Sequence, residues 1–66
     1  MTLIQARKLK VGDVVRWPEG ANGCKESIGI VTLDPRHDSL FVLWPDTPDQ
    51  RTYLHDKDAV KYIEAV

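Results

Sequence analysis

At 66 residues the chain has room for one domain, residues 1–66, and no second, because domains rarely fold below about 50 residues. Nine Lys and Arg stand against ten Asp and Glu, a balance near neutrality that removes the strong attraction behind sequence-independent nucleic-acid binding. The single cysteine, Cys24, excludes an intrachain disulfide and fits a reducing compartment, which makes the cytoplasm the expected location.

A chain this short buries only about 60% of the surface its unfolded form exposes, so a thin core worth about 3–5 kcal/mol is expected. Met1 to Lys8 hold no apolar run long enough for a signal peptide or a membrane span. Residues 1–8 read as a flexible lead-in, with a short helical piece around Leu3 to Lys8 as the other choice. Charge is unevenly spread. Residues 1–16 carry Arg7, Lys8, Lys10 and Arg16 against Asp13, whereas residues 34–58 carry Asp34, Asp38, Asp46, Asp49, Asp56 and Asp58 against Arg36, Arg51 and Lys57. Such polarity can orient a partner or align copies of the chain, and it is also what an ordinary solvated surface looks like.

Val11, Gly12 and Asp13 form a turn into a first strand, Val14 to Trp17, which Pro18 ends by removing a ladder donor. Glu19 to Ser27 contains Gly20, Asn22 and Gly23 and has no apolar period, so it predicts a long loop. A second strand follows at Ile28 to Leu33, closed by Asp34 and Pro35, with a hairpin loop to Ser39. Leu40 to Trp44 is the third and most apolar strand, ended by Pro45. After a turn at Asp46 to Asp49, Arg51 to Leu54 predicts a fourth strand, His55 to Asp58 a single helical turn, and Val60 to Ala65 a fifth strand.

The expected class is therefore all-β, and this order of elements predicts a small five-stranded SH3-like barrel with a one-turn helix before the last strand. Val11 to Val15, Ile28 to Thr32 and Leu40 to Trp44 resemble the small barrels of the KOW and Tudor-like group. The likeness runs from Leu9 onward and is nearest to short uncharacterised proteins of this type encoded by bacteriophages. The motifs are short and hydrophobic, so the resemblance speaks to fold more than to function. Basic loop residues that serve nucleic-acid binding in some KOW domains have no counterpart between Trp17 and Ile28, where Glu19, Lys25 and Glu26 stand.

Period-two alternation sends Val15, Trp17, Gly29, Val31, Leu33, Leu40, Val42 and Trp44 to the inside, with Leu54, Val60 and Ile63 closing the core. The opposite faces then carry Val14, Ile28, Ile30, Phe41 and Leu43, where a solvated antiparallel face is normally polar. Five apolar side chains on neighbouring strands mark an interaction surface, unless the amino-terminal segment with Leu3 and Ile4 folds back over them. A second constellation gathers at one end of the strands, where Trp17, Trp44 and Tyr53 are expected near Glu19 and Asp46. Aromatics beside carboxylates suit a cation or a proline-rich peptide, and two tryptophans that simply plug the core are the plainer expectation.

No catalytic or metal-ligating pattern emerges. His37 and His55 sit in separate turns without metal-site spacing, Cys24 lacks a base beside it, and the glycines form no phosphate cradle. The expected function is a non-enzymatic protein-binding or self-associating module without cofactor, metal, small-molecule substrate or membrane partner. It is expected to serve as an accessory or host-interacting protein if phage-encoded, in the host cytoplasm or the virion. The alternative is a nucleic-acid binder using the basic strip Arg7, Lys8, Lys10 and Arg16.

Overall fold

The computed structural model describes residues 1–66. Its elements in chain order are a short helix α1 (Leu3–Ala6), strands β1 (Val14–Trp17), β2 (Ser27–Asp34), β3 (Ser39–Leu43) and β4 (Arg51–Tyr53), a second short helix α2 (Lys57–Val60) and strand β5 (Glu64–Ala65). The five strands form one antiparallel sheet in the order β4-β3-β2-β1-β5. The regular structure is thus mostly strand with two single-turn helices, as the all-β reading predicted. The sheet does not close into a barrel, because β4 and β5 are its two edges. Along the chain α2 connects the two edges, and it packs on β4 and α1.

One face of the sheet is the core. Val15, Val31, Val42, Trp44, Leu54, Val60 and Ile63 are buried, and Ala6 joins them from α1. Gly29 lies in this layer for a steric reason: a Cβ there would stand 2.3 Å from Val42 Cγ1 and 2.7 Å from the Trp44 ring. Trp44 therefore lies against the bare backbone of β2. Its indole N–H donates to Thr52 Oγ1 at 3.0 Å, so the polar edge of a buried ring is satisfied.

The amino-terminal residues fold under the core side. Thr2 caps α1 with a reciprocal capping box, its hydroxyl accepting from the Gln5 N–H while Gln5 Oε1 accepts from the Thr2 N–H. The Met1 ammonium donates to the carbonyls of Val60, Lys61 and Ile63 at 2.9, 3.2 and 2.7 Å, which ties the amino terminus to the end of α2 and the turn behind it. Met1, Leu3 and Leu9 pack against the core. The alternative in which this segment folds back over the outer face of the sheet is thereby set aside, with Ile4 left exposed. Ala6, the last residue of α1, is fully buried in the core, and α1 packs against α2.

Three further differences have local causes. Val60 belongs to α2 and not to a fifth strand, and β5 shrinks to two residues, because Val60 reaches the core from α2 and Ile63 from the turn behind it. Leu33 keeps its inward parity yet is 45% exposed, since the β2–β3 hairpin overhangs the end of the core. Phe41 keeps its outward parity yet is only 7% exposed, because its strand partner Tyr53 leans on it at 5.8 Å and the Arg51 guanidinium lies 4.9 Å over the ring.

Candidate functional site: the outer face of the sheet

Strand register lays the outer face out in rows. The central row is Val14, Ile30, Leu43 and Arg51, taken across β1, β2, β3 and β4. Beside it on one side run Glu64, Arg16 and Ile28, and on the other Thr32, Phe41 and Tyr53. Val66 continues the central row past Val14, whose carbonyl accepts the Val66 N–H at 3.3 Å. Val14, Ile28, Ile30 and Leu43 are each between 37% and 46% exposed. They touch along two cross-strand pairs and one i, i+2 step, so they form one continuous aliphatic band and not four scattered residues.

Charged groups frame the band. On the β1–β5 side Arg16 bonds Glu64 closely and reaches Glu26 at 3.4 Å. The Glu64 hydrogen bond and charge, with a smaller part from Glu26, raise the Arg16 pKa above its already high ordinary value. Two carboxylates to one guanidinium leave this rim acidic. On the β4 side Arg51 stands 3.6 Å from Asp34 Oδ2 and remains about half exposed.

Asp34, only 2% exposed, is the buried charge of this face. Its Oδ1 accepts from the Arg36 backbone N–H at 2.9 Å and its Oδ2 from the Tyr53 hydroxyl at 3.0 Å. The Arg36 N–H holds the carboxyl below its ordinary range, opposed by desolvation and helped by Tyr53, His37 and Arg51. Asp34 read from the sequence only as a turn former. It fixes the hairpin and, through Tyr53, the covered position of Phe41.

The aromatic constellation assembles differently from its expectation. Trp17 and Trp44 meet edge to face at 6.2 Å, but Tyr53 pairs with Phe41 on the other side of the sheet and stacks near His55 at 5.5 Å. Parity decides this: Thr52 faces the core opposite Val42, so Tyr53 must face out. The third ring near the tryptophans is Tyr62, 5.4 Å from Trp17. The Trp17 indole donates to the Ala21 carbonyl at 2.9 Å, tying the long loop down. Between that loop and the β3–β4 turn lies a groove of about 690 Å³, where Trp17, Trp44 and Asp46 meet Lys25, Gln50 and Thr52.

The basic strip is likewise divided. Arg7 and Lys8 follow α1 on the core side, where Arg7 lines a shallow hollow with Leu40 and His55. Lys10 sits in the turn closed by its own N–H on Asp13 Oδ2. Arg16 is on the outer face between two carboxylates. No group of three or more His, Cys, Asp or Glu is placed to hold a metal ion, and no helix is long and apolar enough to cross a membrane. No protein-family model, curated protein or solved structure matches the chain.

Proposed function

We propose that the chain is a non-enzymatic protein-interaction module whose outer sheet face is its binding surface. The observation that carries this reading is the continuous band of Val14, Ile28, Ile30 and Leu43, held half in water by a strand register that also buries Val15, Val31 and Val42 behind it. A face with no binding role would be expected to carry polar residues there. Phe41 supports the band from beneath Tyr53 and Arg51 and does not itself offer contact. The strand order and the resemblance in Val11 to Val15, Ile28 to Thr32 and Leu40 to Trp44 support an SH3-like framework of the KOW and Tudor-like kind. With that likeness goes the role of a cytoplasmic accessory or host-interacting protein of the sort bacteriophages encode. Arg16, held by Glu26 and Glu64, weighs against the basic strip as a nucleic-acid site.

The test replaces Ile30 with Lys, at a half-exposed position where folding tolerates the change. A protein bound by the native chain should be lost with Ile30→Lys and kept with a control change at Lys8, on the core side. Binding that survives Ile30→Lys sinks the reading.

A further inference from the structure

We infer that the occupant of the outer face is a second copy of this chain, packed face to face about a two-fold axis running close to β2. The inference rests on the binding role proposed for that face and names its partner.

Three observations point to a like partner. First, the band is laid out evenly about the middle strand of the sheet: β2 has β1 and β5 on one side and β3 and β4 on the other, and Ile30 has Val14 on one side and Leu43 on the other. A two-fold along β2 sets Ile30 against its own counterpart and Val14 against the second copy's Leu43. An isologous interface needs such self-complementarity, whereas a different partner would not. Second, the two rims differ in charge. Glu64 and Glu26 outnumber Arg16 on the β1–β5 side, while at the β4 edge Arg51 is balanced by the buried Asp34 and leaves its guanidinium about half exposed. The same axis sets each copy's Arg51 opposite the other's Val66 and one row from its Glu64, within reach of a long side chain, and both charged groups are about half exposed. Third, the charges choose between the two axes that a face-to-face pair allows. An axis across the strands would leave Arg51 facing Arg51, and a pairing along β2 avoids this.

An interface taking the usual tenth of a small protein's surface would bury about 470 Å² per copy of this 4717 Å² chain, below the roughly 800 Å² per partner of a standard interface. A reversible dimer is expected, with a dissociation constant between about 10 µM and about 1 mM.

Sedimentation velocity over that concentration range, combined with cysteine cross-linking in a Cys24→Ser background, tests both the partner and the axis. The native chain should pass from monomer to dimer, and Ile30→Lys should weaken the dimer by about tenfold or more. Ile30→Cys should cross-link to its own copy under mild oxidation. Val14→Cys should stay uncross-linked alone and join Leu43→Cys when the two variants are mixed. Arg51→Glu and Glu64→Arg should each dimerise poorly alone and better as a mixture, a recovery that poor folding of either variant cannot imitate. Val14→Cys joining itself would overturn the axis, and a dimer indifferent to Ile30→Lys would overturn the surface. A monomer at every concentration would overturn the second copy as occupant. Loss of a separate protein partner in Ile30→Lys would still uphold the binding role of the face in that case.

Discussion

Asp34 and Gly29 carry more of this molecule than their types suggest. Asp34 is ionised inside the outer face and accepts from Arg36 and Tyr53, so its carboxyl titrates below the ordinary value. A depressed carboxyl stabilises the fold fully above its unfolded pKa, about 3.9, and that stabilisation is lost as pH falls toward the folded value. Asp34→Asn should therefore unfold at lower urea than the native chain at pH 7, with the difference shrinking below about pH 4. A difference that stays constant with pH would show that Asp34 acts only through shape. Gly29→Ala should cost about 1–3 kcal/mol by urea denaturation, because the added methyl would enter Val42 and the Trp44 ring at 2.3 and 2.7 Å. An unchanged midpoint would mean that Trp44 can move aside. Sequence showed Gly29 as an inward position but gave no reason for a glycine, which depends on the ring that β3 lays across β2. Asp34 was equally hidden. The letters Asp and Pro announce a turn, and only the partner strand reveals that Tyr53 reaches back to the carboxylate.

Strands were legible where local chemistry marks their ends, and less so where a neighbour decides. Pro18 and Pro45 closed β1 and β3 within a residue of where the sheet closes them, because a missing N–H is a local fact. Alternation gave the right parity for nearly every strand residue, yet parity is not burial. Leu33 faces inward beyond the core, and Phe41 faces outward beneath a tyrosine and an arginine. Tyr53 departs from its expected end because strand order alone does not fix parity: Thr52 pairs with inward Val42, which turns Tyr53 outward beside Phe41. The last stretch was the least legible, since Val60 to Ala65 reads as a strand while Val60 and Ile63 reach the core from α2 and the turn behind it. This short helix connects the two edge strands and has its own lock: Asp56 Oδ1 accepts from the Asp58 and Ala59 N–H groups at 3.0 and 3.4 Å. Asp56→Ala should cost about 1 kcal/mol, measured by urea denaturation. Amides of residues 57–63 should also exchange faster with solvent than those of β2. Equal protection of α2 in both proteins would show that packing of Val60 alone holds the element.

At the scale of the whole molecule, a thin core and a half-exposed aliphatic band are linked. Eleven of the 66 residues are buried, which leaves the monomer in the range where a core worth about 3–5 kcal/mol is all a chain this size can expect. Association adds to that stability by mass action, because the pair forms only between folded copies. At a concentration about ten times the dissociation constant the gain is about 1.4 kcal/mol, and for a domain this small each kcal/mol raises the melting temperature by about 4–8 °C. The melting temperature of the native chain should accordingly climb by roughly 5–10 °C between dilute and millimolar solution. Ile30→Lys should remove the dependence and leave the dilute value within about 0.5 kcal/mol of native, since the change lies on the surface of a folded monomer. Two results separate stability from association. A dilute Ile30→Lys protein that melts far below the native chain would assign Ile30 to the fold itself. A native melting temperature that ignores concentration would mean that the band of Val14, Ile28, Ile30 and Leu43 stays exposed to water, and that the 66-residue chain stands on the burial of its own core alone.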